Sequence, residues 1–327
     1  MSNRIRWGIL GTGGIANSFV KDLKATGHQV TAVGSRTCEA AERFAAQHGI
    51  ARAHASYEAL VHDDQVDVVY VSTPHPFHLS NALLALEAGK HVLVEKPLTI
   101  NASEARALEA VAKQKGLVAL EAMWTRWLPH MVRIREILAS GALGELRTLL
   151  ADHTQKLPDD PAHRINALEL GGGALLDLGI YPISFASQLF GKPTSIVATS
   201  IPTPTGVDRS TTVILGYNRG RTAVTHCSSG ERGPNKAVII GTEGRLEIDP
   251  TWYAATSFTL YSNTNEVTER FNHPLKTRGM EFQADELERL VNTGQLSGTI
   301  LPIAESVAIM ETLDEVRRQI GLKYPGE

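Results

Sequence analysis

Six residues near the start of the chain, Gly11-Thr12-Gly13-Gly14-Ile15-Ala16, constrain the fold more than any other feature. They fit G-x-G-x-x-A between a strand-like run at residues 5–10 and a helical run at 15–25. In that setting Gly11 permits a tight turn, Gly13 lets backbone approach a pyrophosphate, and Ala16 allows close helix–strand packing. A flexible glycine loop is the plainer meaning, but the next hundred residues argue against it. Strand-like runs at 30–34, 67–72, 91–94 and 118–121 alternate with helical runs at 38–48, 76–88 and 102–115. Asn101 with Glu104, and Gly116 beyond, bracket the last helix as cap and stop. Such alternation implies βαβ crossovers and a parallel sheet covered on both faces.

The texture changes after residue 122, which sets the expected division at 1–122 and 123–327. An amphipathic run at 128–139, a strand at 143–152, a polar loop at 157–167 and a helix at 174–190 come first. Six strand-like runs between 194 and 271 are separated by turn residues, the pattern of an antiparallel sheet, and helices near 280–292 and 303–320 close the chain. The expected fold class is therefore α/β: a dinucleotide-binding domain, then an α+β domain with a large open, mainly antiparallel sheet. The 327 residues suffice for both cores.

The net charge of −3 gives no footprint for nucleic acid, and no apolar run is long enough to span a bilayer. The first residues lead into a strand without a signal-peptide pattern, and two cysteines make no disulfide framework. These features place the expected protein in the cytoplasm.

The end of the second strand chooses the dinucleotide. An NAD site wants a carboxylate there for the ribose 2′-hydroxyl. Here the residues are Gly34-Ser35-Arg36-Thr37, with no acid until Glu39. Arg36 can meet a 2′-phosphate with a charge-assisted fork and Ser35 can add a hydroxyl, so NADP is expected in preference to NAD. A solvated arginine at a strand end is the plainer alternative.

Two further segments fall at the carboxyl edge of the same sheet, where open α/β sheets bind ligands. One is Glu95-Lys96-Pro97, whose Lys–Pro bond can be cis; the other runs Ser72-Thr73-Pro74-His75-Pro76-Phe77-His78. Later, Gly171-Gly172-Gly173 opens a helix on which Asp177 and Tyr181 are four apart and share a face. Each has a plain meaning alone: a surface lysine, a core tyrosine. The histidines lack metal-ligand spacing, so no metal is expected.

Together the glycine motif, Glu95-Lys96-Pro97 and the segment 171–181 resemble the Gfo/Idh/MocA oxidoreductases. Glu121-Ala122-Met123-Trp124-Thr125-Arg126-Trp127 and the tyrosine at 181 resemble the branch that holds dimeric dihydrodiol dehydrogenases and NADP-dependent D-xylose dehydrogenases. The resemblance spans essentially the whole chain. It implies a Rossmann domain and hydride transfer between a nicotinamide and a hydroxyl or carbonyl carbon of a sugar, polyol or dihydrodiol. It implies Lys96, Tyr181 and Asp177 as catalytic, and His78, Arg164 and Trp124 at the substrate. Cofactor contacts are implied for Gly11, Gly13, Gly14, Ile15, Ala16, Ser35, Arg36, Thr73, Glu95, Lys96, Trp124 and Arg126. It also implies a homodimer through the sheet of the second domain.

Tyrosine, with a pKa near ~10, must come down by about two to three units to exchange a proton near neutrality. An ammonium at ~4 Å contributes about 4 kcal/mol at an effective dielectric of 20, roughly three units. Lys96 is an adequate partner for Tyr181 on that count; Lys96 as the proton carrier is the second reading. A non-catalytic NADP-binding sensor on the same fold is the alternative from another class.

Overall fold

The computed structural model describes residues 4–327. The described residues fold as two compact units, residues 4–124 with 276–307, and residues 125–275 with 308–327.

The first unit is built as β1 (Arg6–Leu10), α1 (Gly14–Ala25), β2 (Gln29–Gly34), α2 (Cys38–His48), β3 (Arg52–His54), α3 (Tyr57–Val61), β4 (Val68–Val71), α4 (His78–Glu87), β5 (His91–Glu95), α5 (Ala102–Lys115) and β6 (Ala119–Ala122). Its six parallel strands run in the order β3-β2-β1-β4-β5-β6. The order reverses between β1 and β4, the point at which such sheets open a crevice for ligands. Trp7, Ile9, Phe19, Val69 and Tyr70 are fully buried, and the rings of Phe19 and Tyr70 stack with centroids 4.0 Å apart. Local signals decide the helix ends. Thr37 caps α2 by accepting from the Ala40 N–H at 3.3 Å, and Asn101 caps α5 by accepting from Glu104 at 2.9 Å. Gly49 and Gly116 close those helices in the left-handed region.

A single helical turn at Trp124–Trp127 precedes α6 (Pro129–Ala139) and β7 (Leu146–Thr154) of the second unit. A π-helical turn, Leu175–Gly179, leads into α7 (Ile180–Phe190). Then come β8 (Ser195–Pro202), β9 (Asp208–Tyr217), β10 (Arg221–Ser228), β11 (Ala237–Gly241), β12 (Gly244–Ile248), β13 (Phe258–Ser262) and β14 (Val267–Phe271). The eight strands run β14-β13-β12-β11-β7-β10-β9-β8, antiparallel everywhere except where β7 meets β10. Helix α7 covers one face through its contacts with β7 and β10. The other face carries Val197, Ile214 and Leu150 at 63, 46 and 42% exposure.

Helix α8 (Glu281–Thr293) and α9 (Ile303–Ile320) follow the sheet. The expected single boundary at 122/123 differs from what the chain does, because residues 276–307 return to the first unit. The carboxylate of Asp22 on α1 accepts the main-chain N–H groups of Arg278 (3.2 Å) and Met280 (3.0 Å), and the Trp7 indole donates to Glu288 at 2.7 Å. These bonds span more than 250 residues, so local pattern holds no trace of them. Strand β3 and helix α3 are also additions to the sequence reading; Arg52-Ala53-His54 has no β-branched residue and becomes a strand only by pairing with β2.

Candidate active site

Gly11 ends β1 with φ +104°, a conformation that L side chains rarely adopt, and its N–H donates to Gly34 O at 3.0 Å. A Cβ there would lie 3.0 Å from Ser72 Oγ. Glycine is required. Gly13 and Gly14 are exposed with open space where a Cβ would project, and Ala16 is fully buried against the sheet. Unlike α2 and α5, α1 starts with no side-chain cap and no acid in its first turn. Its unsatisfied N–H groups and positive dipole end face an open surface, which fits a pyrophosphate. At the end of β2, Ser35 is buried while Arg36 is exposed, without a hydrogen bond or ion pair among the described residues. Its positive charge reaches the neighbouring Tyr57 hydroxyl. These residues fit a phosphorylated dinucleotide.

At the next strand ends, Thr73 is half-buried and accepts from the Asn81 side chain at 3.1 Å. His78 does not fit its expected place at the substrate. Its ring is fully buried, with Nδ1 2.8 Å from Pro97 O and Nε2 2.8 Å from Thr73 O. Burial lowers its pKa to about 4, so the ring is neutral and donates to one of the two carbonyls at a time. It ties the loop after β4 to the cis Lys96–Pro97 peptide after β5. The sequence put His78 at the right edge; only burial reveals that it faces inward.

Glu95 is buried, accepts from the Tyr70 hydroxyl and from the Lys96 N–H at 3.2 Å, and has its pKa raised by burial against the pull of the Lys96 ammonium. Lys96 itself is half-buried. One strand over, buried Glu121 accepts from the Leu98 N–H (3.0 Å) and the Ser306 hydroxyl (2.6 Å), so the β5 and β6 ends are pinned by carboxylates on both sides of Lys96. Trp124 follows β6, 2% exposed, with the Arg278 guanidinium over its ring at 5.2 Å.

In the second unit, the π-helical turn and α7 place Asp177 and Tyr181, both buried. Arg164 grips Asp177 with two nitrogens, at 3.1 and 3.3 Å, across the glycine triplet. The implied substrate arginine and the implied catalytic carboxylate are thus one ion pair, half open to solvent on the arginine side. Arg126 is 2% exposed and gives Nε to Ser184 Oγ (3.1 Å) and Nη2 to Ser184 O (2.7 Å), one turn beyond Tyr181. That geometry anchors α7, a different task from the expected cofactor contact.

Sequence reasoning missed the residues around Tyr181. The His153 ring meets it edge-on at 4.8 Å and stacks on Tyr253 at 3.5 Å, and Tyr253 lies 5.5 Å from Tyr181. Gln155 bridges the stack, with its amide nitrogen 2.9 Å from His153 Nε2 and a bond to the Tyr253 hydroxyl, which burial pushes up to about 12. His153 near the end of β7 and Gln155 just beyond it are two residues apart, the only available signal; Tyr253 comes from a loop 100 residues away. Asp208 on β9 was also missed. It accepts from the Leu175 N–H (2.8 Å) and the Thr211 hydroxyl (2.7 Å) while its other oxygen, fully buried, has no partner.

Two family models match the chain: residues 5–122 fit the oxidoreductase family with an NAD-binding Rossmann fold, and residues 131–247 fit the GFO/IDH/MocA C-terminal domain. Trans-1,2-dihydrobenzene-1,2-diol dehydrogenases of Danio rerio and Bos taurus are each 37% identical, over 98% of this chain and 98% of theirs. Among solved structures, the 3-ketoreductase KijD10 of Actinomadura kijaniata, bound to TDP-benzene and NADP, is 29% identical with a TM-score of 0.83, covering 97% of this chain and 98% of its own. The aldose-aldose oxidoreductase of Caulobacter crescentus, complexed with glycerol, is 25% identical with a TM-score of 0.88, covering 97% of both chains. With both halves of the family pattern matched and full-length relatives well above 30% identity, the chain belongs to the Gfo/Idh/MocA oxidoreductase family.

Proposed function

We propose that this protein is an NADP(H)-dependent oxidoreductase acting on a CH–OH group of a sugar, polyol or dihydrodiol. The observation that carries the reading is the open, uncapped start of α1 with exposed Gly13 and Gly14, completed by the unpaired Arg36 at the end of β2. Full-length similarity to dihydrodiol dehydrogenases and to an NADP-bound ketoreductase supports the same chemistry.

When bound, the nicotinamide cofactor supplies or accepts the hydride. The residues of the chain do the rest. Main-chain N–H groups of the first turn of α1 hold the pyrophosphate, and Arg36 with Ser35 holds the 2′-phosphate. Tyr181 moves the proton of the reacting hydroxyl, and the Lys96 ammonium lowers the cost of carrying negative charge on oxygen. Asp177, held by Arg164, orients substrate hydroxyls. Arg126 acts through Ser184 as a positioning residue for α7.

We propose as well that two copies pair through the open face of the second unit's sheet. Register aligns Val197, Ile214, Val224, Leu150 and Val238 in one row across five strands, a continuous apolar stripe that needs cover. Cys38 and Cys227 are both free thiols, in keeping with a reducing compartment such as the cytoplasm.

The test is nicotinamide absorbance with a panel of aldoses, polyols and trans-dihydrodiols, each with NADP(H) and NAD(H). Turnover of at least one class with NADP(H) favoured is the expected result. Tight NADPH binding without hydride transfer to any member would overturn the enzyme reading in favour of a sensor.

A further inference from the structure

We infer that Arg278 is a substrate-binding residue and that the preferred substrate carries an anionic group, a carboxylate or phosphate, away from its reacting carbon. This deepens the proposed oxidoreductase reading and rests on it for the identity of the reacting carbon.

Four observations within the first unit converge. The backbone at Arg278 is fixed, because its N–H and that of Met280 are both held by Asp22 of α1. Its guanidinium lies over the Trp124 ring at 5.2 Å, just past the carboxyl end of β6, the edge where this class of sheet binds ligands. From there its charge reaches Glu95 and favours the ionised form. The residue is exposed, and among the described residues its guanidinium makes no hydrogen bond and no ion pair. A guanidinium resting on an aromatic face keeps its N–H edge in plane and free, the geometry for a bidentate grip on a carboxylate or phosphate.

The charge on Arg278 points the same way. An exposed guanidinium favours an anionic ligand over a neutral one and raises its rate of encounter. Asp22 is held by the main chain of this segment, and among the described residues no carboxylate forms an ion pair with the guanidinium.

The experiment uses the NADP-loaded protein and three probes with the same reacting carbon: an aldose, its uronic acid and its terminal phosphate ester. A neutral trans-dihydrodiol is a fourth. Binding is read by titration calorimetry and turnover by nicotinamide absorbance, for wild type, Arg278→Met and Arg278→Lys. Met keeps the apolar stem on Trp124 and removes the charge.

Wild type is expected to prefer an anionic aldose over the neutral one by tenfold or more in affinity or kcat/KM. Arg278→Met should bring that ratio close to one, and Arg278→Lys should restore part of it. No anionic preference in wild type, or a preference intact in Arg278→Met, overturns the inference while leaving any observed turnover to support the oxidoreductase reading. Equal losses of NADP and uronate affinity in Arg278→Met would assign the guanidinium to the cofactor and also overturn it. An Arg278-dependent anionic preference without hydride transfer would uphold the site and overturn the enzymatic reading instead.

Discussion

Asp208 on β9 accepts the main-chain N–H of Leu175 at 2.8 Å, a bond across 33 residues that fixes the start of the helical segment bearing Asp177 and Tyr181. Tyr324 works from the opposite end of the chain, donating its hydroxyl to Gly172 O at 2.6 Å. Gly172 and Gly173, between them, have no room for side chains. A Cβ on Gly172 would meet the carbonyls of residues 164, 165 and 167 at 2.7–2.8 Å, and one on Gly173 would lie 2.2 Å from Asp208 Oδ1. These two glycines let the helical segment start this close to its supports.

Asp208 gives a stability prediction. Burial raises its pKa from 3.8 to about 6, so the folded state binds a proton more tightly than the unfolded chain. The stabilisation linked to that proton is fully present below about pH 4 and is lost as the pH rises through 6. Two units correspond to roughly 3 kcal/mol. Asp208→Asn keeps acceptors for Leu175 and Thr211, so its stability relative to wild type should improve steadily from pH 4 to 7. Denaturant titrations across that range check it; a pH-independent difference would mean that Asp208 does not titrate there.

The His153–Tyr253 stack predicts a split in kinetics. Tyr253→Phe keeps the stack and loses only the bond to Gln155, so the effect on kcat should be within about threefold. His153→Ala removes the ring between Tyr181 and Tyr253 and frees both. A displacement near 1 Å at a reacting group costs up to ~100-fold, so kcat for His153→Ala should fall by about 10- to 100-fold with NADP affinity unchanged. Equal effects of the two variants would show that the stack does not position Tyr181.

Arg36→Ala should weaken NADP(H) selectively. Loss of a hydrogen bond to a charged group costs about 1.5–3 kcal/mol, or roughly 10- to 150-fold. NAD(H) lacks the 2′-phosphate and should change little. Fluorescence titration with both cofactors is the measurement, and parallel losses would leave Arg36 a structural role.

The comparison of sequence with structure divides along the same line as local against distant contacts. Gly11, Asn101 and Gly116 act within a few residues of themselves, so a turn, a cap and a stop were legible. So were all but one of the first unit's strands, since buried parallel strands read as apolar runs. The parallel pairing of β7 with β10, the return of residues 276–307, and the approach of Tyr253 and Asp208 to the Tyr181 helix depend on contacts between distant segments. His78 was legible as a position and misread as a role, because burial of a histidine is a property of its neighbours. Asp177 with Arg164 shows the middle case: both residues were singled out, and only the fold makes them a pair.

The apolar row on the open sheet predicts dissociation by charge. Ile214→Glu and Leu150→Lys each place a charge at a half-exposed position that a partner copy would desolvate. Each single variant should be a monomer by light scattering at micromolar concentration where wild type is a dimer, with an unchanged circular dichroism spectrum. A monomeric wild type would remove the pairing altogether.

Tyr181→Phe tests the chemistry most directly. The substitution removes one oxygen and keeps the ring that meets His153 at 4.8 Å, so packing should survive. If Tyr181 moves the proton, the rate of hydride transfer should fall by about 10²–10⁴-fold, the usual size of a general acid–base contribution. If it only holds the substrate, KM should suffer more than the chemical step. Lys96→Met approaches the same model from the other side. Without the ammonium, the group that ionises should do so at higher pH, and the corresponding limb of the pH–rate profile should move with it. A double variant completes the cycle: a combined loss smaller than the product of the two single losses would measure coupling between Lys96 and Tyr181. Single-turnover rates are the right observable, since cofactor release can mask chemistry in steady state. An unchanged single-turnover rate in Tyr181→Phe, with a large loss in Lys96→Met, would move the proton to the lysine.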